Sequence, residues 1–172
     1  MATLQVVLRT CFPGLVVENN EKFGYVTLPN GSEIWIGGLN DDKAIERILG
    51  NEYATIYINE ASEVRYSAFT LLRSRLAQVV RYFDTGEVMP QKFFVDLNPT
   101  TRAHWTYRLW GDGTAPEDGA AIDTSQYGYE IINPYDNQAN LSGDYLADLE
   151  ALPPRARKRF LSGEYIEDVE AA

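Results

Sequence analysis

Short apolar runs separated by polar turn residues make up most of this chain, and their spacing predicts alternating strands and helices. Two β-prone segments, residues 25–28 and 34–37, flank a Pro-Asn-Gly-Ser turn at 29–32. Asn-Gly between such segments predicts a β-hairpin. A helix is predicted over 41–49, because Asn40 can cap its amino end and acidic residues occupy its first turn.

Three longer patterns predict the centre of the fold. Thr55–Ile58 and residues 93–96 are apolar with little alternation, which is typical of strands covered on both faces. Between them, apolar residues recur at three- and four-residue spacing over 67–82 and predict the best-defined helix of the chain. Strands that alternate with helices favour an α/β fold with a mainly parallel sheet and crossover connections.

The last third of the chain has weaker patterns. Residues 111–126 are rich in Gly and Asp and are predicted to form an exposed loop, and 129–132 are a candidate last strand. Two short helices follow. Ser142 can cap the first, which runs to about residue 151, and Pro153-Pro154 opens the second.

The length of 172 residues suits about one domain. No convincing boundary precedes residue 134, so we predict a core over 1–133 followed by a helical lid or linker over 134–172. With 45% hydrophobic residues the chain can form a packed core. Cys11 is the single cysteine, which excludes an internal disulfide.

The charge balance argues against a stand-alone nucleic-acid-binding protein. The formal net charge is −10, whereas non-specific DNA affinity depends on neutralising phosphates with basic residues. Seven of the 15 basic residues are clustered on two predicted helices, over 67–82 and 154–163, where a solvated helix face is the more common explanation. The first ten residues lack the apolar core of a secretory signal, and no run is long enough to cross a membrane.

Polar residues at two strand ends are the main candidates for chemistry. Asn59-Glu60 follows the strand Thr55–Ile58, and Asn98-Pro99 follows the strand at 93–96. In nucleoside triphosphatases, one residue at such a strand end orients water bound to Mg²⁺ and the next carboxylate polarises the attacking water. Glu60 fits the second role. Asn59 occupies the position of the metal-orienting residue, where its neutral amide would hold a metal-bound water weakly.

Structural explanations compete with each of these assignments. An Asn-Glu pair can simply cap the next turn, and Asn98-Pro99 can be an Asx-Pro turn. His104 is the one histidine, and without a partner nucleophile or metal cluster it is expected to be a packed or capping residue. The sequence contains no Gly-x-x-x-x-Gly-Lys-Ser/Thr phosphate-binding loop.

Taken in order, the motifs resemble the ATPase domain of the terminase large subunit of tailed bacteriophages, the motor that packages DNA into procapsids. The resemblance begins near residue 25 and covers nearly all of the remaining chain. It is carried by Leu28-Pro29-Asn30-Gly31-Ser32-Glu33-Ile34, Gly37-Gly38-Leu39-Asn40-Asp41 with Lys43, Ile48-Leu49-Gly50, Ile58-Asn59-Glu60-Ala61-Ser62-Glu63, Leu72-Arg73, Arg75-Leu76, Asp96, Asn98-Pro99, His104-Trp105, Tyr107, Asn133-Pro134, Asp136-Asn137, Arg157, Arg159-Phe160 and Gly163.

The resemblance implies a partial P-loop NTPase-like domain of three αβα layers and assigns roles to four residues. Glu60 would be the catalytic carboxylate of a Walker B element, and Asn59 would stand in place of its usual Asp. Asn98 would lie in the segment that couples hydrolysis to DNA movement. Arg47 would be the arginine that reaches into a neighbouring subunit's site.

The same resemblance implies ATP and Mg²⁺ as ligands. Its implied partners are the terminase small subunit, the portal protein, further large-subunit copies and double-stranded DNA, in the host cytoplasm and transiently at the procapsid portal. We expect the later half of an ATPase domain, without a Walker A loop before it or a nuclease domain after it, and therefore inactive alone. Two alternatives stay open: a non-catalytic remnant that docks on packaging subunits, and an unrelated aromatic-rich α/β binding module.

Overall fold

A computed structural model of the chain describes residues 2–39 and 42–168, and its mixture of helices and strands confirms the predicted α/β class. The helices are α1 (Ala2–Cys11), α2 (Asp42–Leu49), α3 (Tyr66–Arg73), α4 (Trp105–Tyr107), α5 (Gly143–Glu150) and α6 (Pro154–Phe160). The strands are β1 (Glu18–Asn20), β2 (Tyr25–Thr27), β3 (Glu33–Trp35), β4 (Thr55–Ile58) and β5 (Lys92–Val95). In the described part, no helix is long and apolar enough to cross a membrane.

The chain forms two compact units, Met1–Glu52 and Tyr53–Ala172. The first contains α1, the first three strands and α2, and the second contains the remaining elements. This division falls well before the boundary that we predict near residue 134. The separation of a core over 1–133 from a helical segment over 134–172 stays a prediction.

The first unit is built on an antiparallel sheet in the order β1-β2-β3. The predicted hairpin is confirmed between β2 and β3, and the Leu28 N–H donates to the Ser32 carbonyl at 2.8 Å across the turn. Gly31 has a φ of +81°, a left-handed conformation that favours glycine at this position. Val26 in the central strand is fully buried.

The helix predicted over 41–49 is present as α2, and its expected cap Asn40 lies outside the described residues.

The second unit contains the parallel pair of β4 and β5, aligned so that Ile58 at the end of one strand lies opposite Val95 at the end of the other. Both strands were expected, and their parallel direction is confirmed. The expectation that both faces are covered is wrong. Residues alternate between inside and outside, and Tyr57 and Phe94 lie opposite each other with 60% and 50% of their surfaces exposed.

An aromatic cluster packs against the inner side of this pair. The Phe69 ring on α3 lies 4.9 Å from Phe93 and 4.8 Å from Trp105, measured between ring centroids. The buried Trp105 donates its indole N–H to the Val64 carbonyl at 2.8 Å, which satisfies its polar group. Trp105 is therefore an anchor of the core.

The helix predicted over 67–82 is wrong in its second half, because α3 ends at Arg73. The Ser74 hydroxyl donates to the Leu71 carbonyl at 2.7 Å, and such side-chain bonds compete with the continuing helix. The chain then turns, and Gln78 donates its N–H to the Tyr53 carbonyl. Residues 80–89 fold into a tight antiparallel loop in which Arg81 pairs with Val88.

The C-terminal helices match the predicted signals. The Ser142 side chain accepts a hydrogen bond from the Tyr145 N–H at the start of α5, and Gly163 has a φ of +66° beyond the end of α6. The strand expected at 129–132 is wrong, because those residues belong to no strand and are exposed. Their apolar side chains therefore do not mark a buried element.

Candidate functional site

Two polar segments leave the parallel pair at the same edge. Asn59 and Glu60 follow β4, and Asp96 follows β5 directly, with Asn98 two residues further. All four side chains are exposed. The carboxyl edge of a parallel sheet is where open α/β folds bind ligands. The structure thus brings the predicted residues Asn59 and Glu60 to one edge with the segment that contains Asn98, whereas direct proximity of Glu60 and Asn98 stays a prediction.

Glu60 has an unusual backbone conformation. Its φ of 55° and ψ of 54° are left-handed, and within the described residues no other non-glycine residue has a positive φ. This conformation costs about 1–2 kcal/mol for a residue with a Cβ. Such outliers persist when surrounding contacts enforce them, and they concentrate at functional sites.

Asp96 accepts two hydrogen bonds from this turn, and the Glu63 N–H donates a third to the Glu60 carbonyl at 2.9 Å. The Glu60 N–H donates to Asp96 Oδ1 at 2.5 Å, and the Ala61 N–H donates to the Asp96 carbonyl at 2.8 Å. The Tyr57 hydroxyl donates to Asp96 Oδ2 at 2.6 Å. This hydrogen bond raises the pKa of Tyr57, with smaller contributions from desolvation and the Asp96 charge.

Asp96 and Tyr57 are the site residues that the sequence predictions missed. Tyr57 looked like one more apolar strand residue, and Asp96 looked like the end of a buried strand. The available signal was a carboxylate directly after β5, which the parallel register places beside Asn59. This carboxylate can be assigned to the site only once the register of the two strands is known.

The segment after Asn98 is tied to the C-terminal part of the chain. Arg159 Nε donates to the Pro99 carbonyl at 2.6 Å, and the Ile166 N–H donates to the Thr100 carbonyl at 3.1 Å. The basic cluster of α6 is therefore partly used inside the molecule. Arg155 and Arg157 also donate to backbone carbonyls, at Glu167 and Glu150.

Arg47 is the arginine that the resemblance assigns to a neighbouring subunit's site. Arg47 lies on α2 in the first unit, and its side chain lies outside the described residues. Arg73 on α3 donates to the Tyr127 hydroxyl at 2.6 Å and stacks over that ring. Arg75 has a buried Nε without a hydrogen-bond partner.

His104 is a capping residue, as predicted. Its Nδ1 accepts a hydrogen bond from the Thr106 N–H at the start of α4 and lies 2.8 Å from Thr106 Oγ1. The Tyr165 hydroxyl donates to the same Thr106 oxygen at 2.8 Å. Desolvation lowers the pKa of His104, although a bond to the Ser62 backbone and the Glu63 charge oppose the shift.

We expect the His104 cap to make the fold sensitive to mild acid. Between the lowered native pKa and the ordinary value of about 6.5, the unfolded chain binds more protons than the folded chain, so stability falls as the pH drops through this window. Urea unfolding at several pH values from about 5 to 8 measures the slope. His104→Asn keeps a capping side chain but cannot titrate, and it should flatten this slope. An equal slope in both proteins would contradict the assignment.

The described residues contain no group of three or more His, Cys, Asp or Glu that could hold a metal ion. Asn59 nevertheless places an amide oxygen at an exposed edge of the parallel pair. Oxygen donors of this kind suit Mg²⁺, which usually binds through one or two protein groups, several waters and substrate phosphates. The donor set is thus compatible with Mg²⁺ bound together with a nucleotide.

Comparison with known proteins agrees with the resemblance seen in the sequence. A family model described as phage terminase large subunit matches residues 15–164. The fold is similar to the large terminase from a thermophilic bacteriophage, with a TM-score of 0.69, 16% identity and coverage of 96% of this chain. A second structure of that terminase, in complex with ADP, gives a TM-score of 0.66 at 15% identity over 95% of this chain. No curated protein matches.

This chain spans 36% of the length of each of those two solved chains. At such low identity the structural likeness establishes the fold alone, and the family match over most of the sequence establishes the relationship. The interpretation as an unrelated aromatic-rich module is therefore wrong. The chain belongs to the phage terminase large subunit family.

Proposed function

We propose that this chain is part of the ATPase of a viral DNA-packaging motor and supplies the catalytic carboxylate and the coupling segment. The observation that carries the proposal is Glu60, an exposed acid in an enforced left-handed turn at the carboxyl end of a parallel strand. Family membership supplies the context, because an acid at this place in nucleoside triphosphatases acts on the attacking water.

In the proposed reaction, Glu60 orients the water and accepts its proton. The water oxygen forms a bond to the γ-phosphorus of ATP while the bond to the β–γ bridging oxygen breaks, which releases ADP and inorganic phosphate. Asn59 would hold a water that is bound to Mg²⁺. Mg²⁺, when bound, would neutralise charge on the β- and γ-phosphates. The ADP complex of the thermophilic phage terminase supports a nucleotide as ligand.

The coupling role is assigned to the segment that begins at Asn98. This segment leaves the same edge as Glu60 and is bonded through Pro99 to Arg159 on α6. A conformational change at this edge of the sheet would therefore be transmitted to the C-terminal helices through this hydrogen bond. The proposed partners are the small subunit, the portal protein, further large-subunit copies and double-stranded DNA, in the host cytoplasm and transiently at the procapsid portal.

One observation favours a second candidate, a non-catalytic protein that docks on packaging subunits. The sequence contains no Gly-x-x-x-x-Gly-Lys-Ser/Thr loop, whose backbone N–H groups and Lys hold the phosphates in related enzymes. In this candidate the fold is retained for binding and Glu60 has no chemical task.

We expect this 172-residue chain to hydrolyse ATP no faster than its Glu60→Gln variant, because no phosphate-binding loop is present. Phosphate release measures turnover, and calorimetry measures nucleotide binding. Adding a terminase segment that bears a phosphate-binding loop should then produce turnover that depends on Glu60. Robust turnover by the unsupplemented chain would contradict the expectation of inactivity, and failure of the supplemented chain to bind or hydrolyse ATP would favour the docking protein.

A further inference from the structure

We propose that Asp96 is a positioning residue for Glu60 and that Tyr57 orients Asp96. The inference rests on the proposed catalytic role of Glu60, but its main geometric claim can be tested without any turnover. In this arrangement Asp96 fixes the direction in which the chain presents the Glu60 side chain, and it acts on the reaction only through Glu60.

The left-handed backbone of Glu60 needs restraint from its neighbours. A left-handed residue with a Cβ returns to ordinary conformations unless its neighbours prevent it. Besides the Glu63 N–H, which donates to the Glu60 carbonyl at 2.9 Å, the contacts that oppose this return come from one residue. Asp96 accepts the Glu60 N–H with its side chain and the adjacent Ala61 N–H with its carbonyl.

A substitution can remove the first of these two hydrogen bonds and keep the second, because the first involves the side chain of Asp96 and the second its backbone. Substituting the Asp96 side chain removes the acceptor for the Glu60 N–H and leaves the backbone acceptor for Ala61 in place. The Asp96 N–H also donates to the Ile58 carbonyl at 3.1 Å, which continues the strand pairing past β5. The turn therefore keeps its place at the sheet edge in a side-chain variant, which loses the side-chain bonds to the Glu60 N–H and to the Tyr57 hydroxyl.

Tyr57 completes the arrangement. Its hydroxyl bonds Oδ2 of Asp96, so that the other oxygen, Oδ1, faces the Glu60 N–H. The bond also accounts for a tyrosine on the exposed face of β4, where the aromatic ring gains little from burial. Tyr57→Phe keeps the ring and removes this orienting bond.

The first test uses hydrogen exchange and NMR on the 172-residue chain. In Asp96→Ala, the Glu60 amide should exchange faster by roughly tenfold or more, because a bond to a charged acceptor is lost. The Ala61 amide should keep its wild-type rate.

Asp96→Asn and Tyr57→Phe should give smaller increases of the same kind, and both guard against an Asp96→Ala variant that fails to fold. Unchanged exchange at Glu60 in the folded variants overturns the proposal. Equal acceleration at Glu60 and Ala61 also overturns it, because that pattern indicates general loosening of the turn.

The second test measures turnover after a phosphate-binding loop has been supplied. Asp96→Asn should lower kcat by up to about 10²-fold, the effect of a misplacement near 1 Å, with KM for ATP unchanged. In a Glu60→Gln background it should cause no further loss. An additive loss together with a raised KM for Mg²⁺ overturns the positioning role and indicates a direct metal ligand.

The two proposals fail in different ways. If Glu60→Gln retains full turnover, the proposed function of Glu60 is wrong whatever Asp96 does. If Glu60→Gln is inactive while Asp96→Asn and Tyr57→Phe keep wild-type kcat, the catalytic role of Glu60 stands and the positioning role of Asp96 is wrong.

Discussion

Replacing Glu60 by Gln should lower ATP turnover by about 10²- to 10⁴-fold in a motor that contains this chain and a phosphate-binding loop. Gln has nearly the same shape but cannot accept a proton from the attacking water. ATP affinity should change little, because binding depends mainly on the phosphate-binding loop and Mg²⁺. Phosphate release measures the turnover, and a fluorescent ATP analogue measures the affinity.

Glu63→Gln is the matched control for this substitution. Glu63 lies three residues further in the same exposed turn, so its replacement removes an equal charge from the same region. It should leave turnover near the wild-type value. If Glu60→Gln and Glu63→Gln behave alike, the carboxylate of Glu60 has no special role and the catalytic assignment is wrong.

Arg47→Ala should produce the second large effect, through the neighbouring subunit. An arginine supplied in trans contributes about 10³- to 10⁵-fold in other phosphoryl-transfer systems, because it stabilises charge in the transition state. Turnover of a ring made only of Arg47→Ala subunits should therefore fall strongly, while each subunit still binds ATP. Arg9→Ala, which changes another arginine of the first unit, serves as the control.

Mixing subunits distinguishes action in trans from action within one subunit. Rings that combine Arg47→Ala and Glu60→Gln subunits contain some interfaces with an intact Arg47 facing an intact Glu60, and these should recover part of the activity. Absence of recovery would place Arg47 outside the neighbour's site. Unchanged turnover of Arg47→Ala would instead direct attention to Arg75, whose Nε lacks a hydrogen-bond partner, and to Arg73, which is engaged by Tyr127.

Local chemistry determined those elements that the sequence predicts correctly. The hairpin follows from Asn-Gly between β-prone segments, and the cap of α5 follows from one serine hydroxyl placed to meet a free N–H. The strands β4 and β5 are apolar runs bounded by polar turns, so the sequence also predicts their positions. The ordered motifs along the chain were sufficient to indicate the family.

Tertiary contacts decided the remainder. Residues 74–82 have the apolar spacing of a helix, yet their backbone forms hydrogen bonds with Tyr53 and with the loop before Met89. The apolar spacing of a segment contains no information about partners that are so distant in sequence. The candidate site has the same origin. The sequence identifies Glu60 as an acid after a strand, whereas its left-handed turn is bonded to Asp96, 36 residues away in sequence, which also accepts a bond from Tyr57. The sequence by itself thus determined which residues lie at the ends of the strands. The parallel register decided which of these residues form hydrogen bonds with each other, because such bonds depend on the alignment of the two strands, which local preferences do not specify.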